Sequence, residues 1–313
     1  MTMKLQQLRY LCGIAREGFS MSRAASALGT SQPAISKQIS LLESELGVDL
    51  LIRKSNRILG LTAAGEAIIA AARRTLWEAE NLERITAEFT KKGSGRLVIA
   101  TTHMYARYVL RPVIKDFMGR HADVQLVLRQ GMPAMIAQWV ASGEADIGFS
   151  GRSFEPHEEL LFLPRGDLQR SVFAARRHPI LREKKVTLHA LARHPIITLD
   201  LAMEGGRKVM DGFAAAGITP NIVLSAIDAD VVKSYVELGL GIAILLSVAY
   251  EPERDRDLGV IEAAHLFAPT TPQIVLRHGK YLPSYMHEFI TRLAPQWNRR
   301  AIEQAMRSGR KEG

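Results

Sequence analysis

AASALGTSQPAISKQISLLESELG, residues 24–47, predicts two short helices joined by a tight turn. We expect Ser20 to cap the first helix and Gly29 to end it, because glycine adopts a left-handed backbone without steric cost. Ser31 and Pro33 suit the first turn of the second helix. In that helix apolar residues recur at steps of four and three, which predicts one buried face formed by Ile35, Ile39, Leu42 and Leu46.

The opposite face of the second helix is small and polar. Gln32 and Ser36 carry groups that can read base edges in a major groove, and Lys37 carries a charge that suits a phosphate. Residues 50–61 then predict a two-stranded wing with basic side chains for backbone contacts. The predicted DNA contacts are Ser31, Gln32, Pro33, Ser36, Lys37, Ser40, Arg53, Lys54 and Arg57. Spacing alone leaves open an ordinary helical hairpin with a solvated face.

The neighbouring sequence favours the DNA-binding interpretation. AASALGTSQPAISKQISLLESELGVDLLIRKSNRILGLTAAGE resembles the winged helix-turn-helix domain of the LysR-type transcriptional regulators. Residues 4–10, 99–110 and 228–241 resemble the CysB subgroup of that family, whose members regulate sulfur assimilation. The similarity extends from residue 4 to about residue 295. It implies a homotetramer that binds double-stranded promoter DNA, responds to a small-molecule effector and contacts RNA polymerase.

Composition is compatible with this family. The chain has 313 residues, 47% of them hydrophobic, and a formal net charge of +9, which favours an anionic partner. No apolar segment has the length of a membrane span or the position of an export signal, so we expect a cytoplasmic protein without membrane contact. The basic residues after residue 295 are interpreted as a solvated, frayed end.

A long helix is predicted over residues 62–90. Its apolar and small residues recur at steps of four and three, as in a paired helix, which indicates a dimerisation arm. The predicted seam consists of Ile68, Ala72, Thr75, Ala79, Leu82, Thr86 and Phe89. Lys91, Lys92 and the glycines that follow form the clearest linker.

From residue 96 the pattern changes to alternating strands and helices, which predicts parallel α/β sheets. The predicted fold is therefore α/β, with a winged helix-turn-helix and linker helix followed by a two-lobed effector domain like the periplasmic binding proteins. We assign residues 1–61 to DNA binding, 62–95 to the linker helix and hinge, and 96–164 with 268–295 to effector subdomain 1. Residues 165–267 form subdomain 2, and 296–313 the basic tail.

The effector is expected in the cleft between the lobes, beyond the carboxyl ends of the parallel strands. By position the candidate ligand contacts are Thr101, Thr102, His103, Met104, Tyr105, Gln130, Gly131, Ser150, Gly151, Thr198, Asp200, Glu204 and Gly205. Each is also interpretable as an ordinary loop residue, and Thr102 as a plain helix cap. The subgroup resemblance implies a sulfate or acetylserine-type effector.

Four of these positions depart from the subgroup. Met104 and Tyr105 stand where its members have threonine and glutamine, and Gly151 and Glu204 where they have threonines. Loss of donors together with a new carboxylate disfavours a dianion in a partly desolvated cleft. We therefore predict an effector other than bare sulfate, with Glu204 suiting an amino group and Tyr105 a larger or flatter ligand.

Three function classes differ in what they require of this sequence. A ligand-responsive regulator, with sulfur metabolism as its theme, fits best, and a regulator of an unrelated catabolic or biosynthetic pathway is the alternative. A solute-binding protein would need an export signal and no helix-turn-helix. An enzyme is disfavoured because the histidines show no metal-ligand spacing and no nucleophile signature is present. No catalytic residue, metal or cofactor is predicted.

Overall fold

The computed structural model describes residues 3–54, 57–90, 95–151 and 159–308, without the side chains of residues 87–89. The chain divides into two compact units, Met1–Lys92 and Gly93–Gly313. The predicted linker residues 91–94 lie outside the described residues. None of the described helices has the length and apolar character needed to cross a membrane.

The N-terminal unit is a three-helix core with a wing. Its elements are α1 (Leu5–Arg16), α2 (Met21–Ala27), α3 (Gln32–Leu46), β1 (Leu51–Lys54), β2 (Arg57–Leu61) and α4 (Ala63–Phe89). The predicted caps are confirmed, since the Ser20 and Ser31 hydroxyls accept from backbone N–H groups of the first turns and Gly29 has φ +62°. Ile35, Ile39 and Leu42 are completely buried against α1 and α2.

The first turns of α4 belong to this core. Ala72 is 2% exposed, and Ile68 packs against the same cluster as the residues of α1. The prediction that these two residues form part of a dimer seam is therefore wrong, because the helix-turn-helix core already covers them. Leu82, further along α4, is 67% exposed and is available to a partner.

The C-terminal unit contains two lobes, each built on a five-stranded sheet. Lobe 1 holds β3 (Arg96–Thr101), β4 (Gln125–Gln130), β5 (Ile147–Ser150), β6 (Leu160–Pro164) and β12 (Gln273–Arg277), in the order β4-β3-β5-β12-β6. Strands β3, β4 and β5 are parallel, as predicted. β12 runs antiparallel to both β5 and β6, so the expectation of a wholly parallel sheet is wrong.

Lobe 2 has the same mixed character. It holds β7 (Arg170–Ala175), β8 (Ile196–Leu199), β9 (Ile222–Ala226), β10 (Ile242–Leu246) and β11 (Leu258–Glu262), in the order β11-β7-β10-β8-β9. β8, β9 and β10 are parallel, whereas β7 is antiparallel to β10 and β11. β6 and β11 were not predicted from the sequence, and each forms one of the two edges of its sheet.

Helices cover both sheets. In lobe 1 they are α5 (His103–Tyr105), a π-helical turn (Ala106–Leu110), α6 (Arg111–Arg120), α7 (Pro133–Ala141), α11 (Ser284–Leu293) and α12 (Arg299–Ser308). In lobe 2 they are α8 (Leu188–Ala192), α9 (Glu204–Ala215) and α10 (Ala229–Glu237). α12 corrects the interpretation of a frayed basic end: Ile302 is fully buried in the core of lobe 1, with Trp297 packed beside it.

Two crossing segments join the lobes and bond to each other. Leu168 and Thr270 exchange backbone hydrogen bonds of 2.8 and 3.0 Å, and the Arg165 N–H donates to the Pro272 carbonyl at 2.9 Å. This paired crossing fixes where the lobes meet and leaves a cleft between the carboxyl ends of β3, β5 and β8.

Candidate functional site

The polar face of α3 is exposed at the residues predicted to contact DNA. The helix buries Ile35 and Ile39, so the residues between them point outward. Ser31, Gln32, Pro33, Ser36, Lys37 and Ser40 are all exposed. The Gln32 amide oxygen accepts a 3.2 Å hydrogen bond from the Ser22 hydroxyl of α2, which restrains the side chain at the start of the helix. An amide, hydroxyls and an ammonium thus share one accessible surface.

The wing is attached to α3 through Glu43, a residue that sequence reasoning missed. This carboxylate is 7% exposed and accepts from the N–H groups of Leu50 and Leu51 at 2.9 and 3.3 Å. Its other oxygen lies 2.8 Å from the Arg53 guanidinium. Arg53 therefore has an acidic partner that the sequence analysis did not expect, whereas Lys54 and Arg57 are exposed on the wing.

A pocket lies in the cleft between the lobes and contains about 640 Å³ of empty space, part of which is open solvent. Seven of the thirteen predicted effector contacts line it. They are Thr102, Met104, Tyr105, Ser150, Gly151, Glu204 and Gly205. The rest of the wall is largely apolar, with Leu199, Met203 and Ile227 from lobe 2 among its members. Such a cavity suits a small organic molecule held by a few polar groups.

The other six predicted contacts lie outside this lining. The Thr101 hydroxyl donates to the Phe149 carbonyl at 2.7 Å, and Asp200 accepts from the Ala202 N–H at 2.8 Å. Gly131 donates its N–H to the Thr101 carbonyl at 3.1 Å. Gln130 is exposed at the end of β4, Thr198 is buried, and His103 faces the charged groups described below.

Several buried polar atoms of the cavity have no hydrogen-bond partner within the described part of the chain. They are Thr102 Oγ1, Ser150 Oγ and Glu204 Oε2. Thr102 precedes α5 but its hydroxyl does not cap that helix, so the interpretation as a plain cap is wrong. A buried hydroxyl or carboxylate oxygen without a partner costs about 1–3 kcal/mol. These atoms are therefore positioned to bind a ligand.

Arg170 at the start of β7 is the main cavity residue that sequence reasoning missed. It is 2% exposed and donates to the Ala268 carbonyl at 2.5 Å and to the Thr270 hydroxyl at 2.8 Å. Burial lowers the pKa of its guanidinium, while the negative charge of Glu204 opposes that shift. Arg170 could have been recognised from the sequence as the single charged residue at the start of the largely apolar strand RSVFAA.

Tyr105 lies beside these charges. It is 4% exposed and stacks edge-on against Phe149 at 5.1 Å between ring centroids. Burial, and then the charge of Glu204, raise the pKa of its hydroxyl, so it stays protonated and can donate a hydrogen bond.

A cluster of ion pairs connects the lobes beside the cavity. Arg107 lies 3.2 Å from Asp230 and 3.3 Å from Glu251, and Arg111 lies 2.9 Å from Glu251. His103, Asp228 and Asp230 bring three potential metal ligands within 4.8 Å of one another. Asp230 already faces the Arg107 guanidinium, so the cluster is better explained as an inter-lobe contact than as a metal centre.

Comparison with known proteins gives a family match for each of the two units of the chain. The models "LysR substrate binding domain" and "Bacterial regulatory helix-turn-helix protein, lysR family" match residues 90–298 and 5–66. The chain is 41% identical over 305 residues to the HTH-type transcriptional regulator CysB of Burkholderia cenocepacia, covering 97% of each. It is 40% identical to the regulator SsuR of the same organism, covering 97% of this chain and 99% of that one.

Structural similarity supports the same assignment. The crystal structure of the cofactor-binding domain of the Cbl transcriptional regulator matches with a TM-score of 0.64 and 34% identity, covering 68% of this chain and 93% of that one. The exposed α3 surface thus lies in the part matched by the helix-turn-helix model, and the inter-lobe cavity in the part matched by the substrate-binding-domain model. The chain belongs to the LysR family of transcriptional regulators and is related to CysB, SsuR and Cbl.

Proposed function

We propose that this regulator binds promoter DNA through α3 and the wing, and that a small molecule in the inter-lobe cavity modulates this binding. The proposal depends chiefly on the cavity, where two buried hydroxyls of lobe 1 and a carboxylate oxygen of lobe 2 have no hydrogen-bond partner among the described residues. A ligand that bonds to Thr102 of lobe 1 and Glu204 of lobe 2 stabilises one angle between the lobes. Differential binding of this kind couples the cavity to the DNA-binding surface.

At the DNA, α3 is placed in the major groove. Gln32, Ser36 and Ser40 read bases, Lys37 contacts phosphate, and Ser31 and Pro33 fix the start of the helix. Lys54 and Arg57 contact the backbone from the wing, with Arg53 oriented by Glu43. A two-fold dimer presents two such surfaces to an inverted repeat.

The assembly is proposed to be a homotetramer, in which dimers form through the exposed face of α4 that includes Leu82. It is proposed to act in the cytoplasm with RNA polymerase as a further partner. Its target genes are proposed to belong to sulfur metabolism, with a sulfur metabolite or acetylserine-like compound as effector. The similarity to CysB, SsuR and Cbl supports this theme. An unrelated pathway with another effector is the alternative.

The test is a mobility-shift assay on the promoter beside the regulator's own gene, with and without candidate sulfur metabolites. We expect Thr102→Val to bind DNA normally and lose the metabolite response. The control is Thr291→Val on α11 of lobe 1, because its hydroxyl donates to the Trp297 carbonyl and lies outside the cavity. If the wild-type protein does not bind duplex DNA at low salt, the proposed DNA-binding function is wrong. If Thr102→Val keeps the metabolite response, the proposed effector site is wrong.

A further inference from the structure

Two opposite charges face the same cavity without pairing with each other. Within the described part of the chain, Arg170 donates only to neutral acceptors, Ala268 O and Thr270 Oγ1, and no carboxylate lies within 4.0 Å of its guanidinium. Glu204 is near enough to influence the pKa of Arg170 but is not bonded to it. A buried cation of this kind is costly unless an anion compensates it.

Among the described residues, Glu204 has a polar partner at one of its two carboxylate oxygens. Lys208, one turn along α9, lies 2.9 Å from Oε1. Oε2 is buried without a hydrogen-bond partner among the described residues. The second oxygen is therefore the acceptor that α9 presents to the cleft.

Gly151 of lobe 1 makes room for that oxygen. A Cβ atom added at residue 151 would lie 2.1 Å from Glu204 Oε2, and no side-chain carbon tolerates such a distance. The carboxylate of lobe 2 thus occupies space that a larger residue 151 of lobe 1 would fill. Gly151 and Glu204 therefore approach each other closely across the cleft, and a larger residue 151 would require the carboxylate of Glu204 to move.

The arrangement selects a particular ligand chemistry. Lys208 compensates the charge of Glu204 through Oε1, so what remains in the cavity is the cation of Arg170 and the unsatisfied acceptor Oε2. An inorganic dianion could pair with Arg170 but offers no donor to Oε2, whereas a simple cation would leave Arg170 uncompensated. A molecule with an ammonium and a carboxylate on one carbon complements both. The hydroxyls of Thr102 and Ser150 can satisfy its remaining polar atoms, and the apolar wall can accept its side chain.

We propose that the effector is an α-amino acid, bound with its carboxylate at Arg170 and its ammonium at Glu204. This inference rests on the proposed function, since it assumes that the inter-lobe cavity is the effector site. It goes further by naming the ligand class and the two charged residues, Arg170 and Glu204, that determine it.

The test measures ligand binding to the full-length protein by calorimetry. The probes are the twenty common L-amino acids with O-acetyl-L-serine, then the N-acetyl and methyl-ester forms of the best binder, and sulfate. We expect one amino acid to bind at least about tenfold more tightly than either blocked form or sulfate, since each blocked form loses one charge-assisted bond.

Two variants locate the effect. Glu204→Gln keeps size and hydrogen bonding but loses the charge, so the amino acid is expected to bind about tenfold more weakly while the N-acetyl form is little changed. Gly151→Ala is expected to weaken binding by displacing the carboxylate. The control is Glu237→Gln, on the exposed end of α10 in the same lobe, which leaves binding unchanged.

The outcomes separate this inference from the proposed function. Sulfate binding as tight as any amino acid, or binding unaffected by Glu204→Gln, overturns the amino-acid assignment even if DNA binding responds to the ligand. Absence of binding by every amino acid in the panel overturns it as well. If an amino acid binds but does not change the affinity for any promoter site, the proposed function is contradicted, whereas the assignment of the ligand class is not.

Discussion

Glu43 connects α3 to the wing. The contacts of its carboxylate allow the effect of removing it to be estimated. In Glu43→Ala the N–H groups of Leu50 and Leu51, both buried, lose their acceptor, at about 1–3 kcal/mol each before relaxation. The ion pair with Arg53 adds well under 1 kcal/mol, because that guanidinium is 43% exposed and screened by solvent. We expect the N-terminal unit to be destabilised by about 2–4 kcal/mol.

Glu43→Gln is the matched comparison, since its amide oxygen can still accept from the two N–H groups. Its cost is expected to stay below about 1 kcal/mol. Hydrogen exchange of α3 amides in the full-length protein measures the difference: about 30- to 1000-fold faster exchange in Glu43→Ala, and less than about fivefold in Glu43→Gln. DNA affinity should fall in the same order. Equal exchange rates in the two variants would refute the assigned role of the carboxylate.

Three further predictions concern other parts of the chain. Lys37→Ala should weaken DNA binding at all promoter sequences and reduce the slope of the logarithm of the DNA-binding constant against log salt by about 0.9. Fluorescence anisotropy measures both effects, and Lys115→Ala, at an exposed residue, is the unaffected control. Leu82→Glu should weaken self-association in sedimentation experiments; an unchanged dimer would exclude the exposed face of α4 around Leu82 as the interface. Asp146→Asn should destabilise lobe 1 by about 3–5 kcal/mol in urea denaturation, because it removes the carboxylate 2.6 Å from buried Lys280. The double variant with Lys280→Met should recover most of the lost free energy of unfolding, because no buried charge is then left unpaired.

Sequence periodicity predicted the elements with strong local signals and missed those defined by tertiary contacts. The capped helices α2 and α3 were predicted because Ser20, Ser31 and Gly29 act within their own turns. β6 and β11 are short edge strands whose pairing partners are distant in sequence. Likewise, the spacing that suggested a dimer seam could not show that Ala72 already packs against α1.

The candidate site was predictable where position follows from strand ends. Thr102, Ser150 and Glu204 were named because ligands bind beyond parallel strands, and all three line the cavity. Arg170 was missed because β7 is antiparallel to its neighbour, so the start of this strand reaches the same edge. The contact between Gly151 and Glu204 required coordinates, since no local pattern relates residues 53 positions apart on different lobes.

The position of β12 has a consequence for synthesis. This strand lies between β5 and β6, yet it follows all of lobe 2 in the chain. On the ribosome, residues 96–164 therefore emerge well before the strand that completes their sheet, and lobe 2 can close first. A nascent chain interrupted before residue 273 would present the open edges of β5 and β6 to other chains, so premature termination here favours aggregation over a truncated but folded regulator.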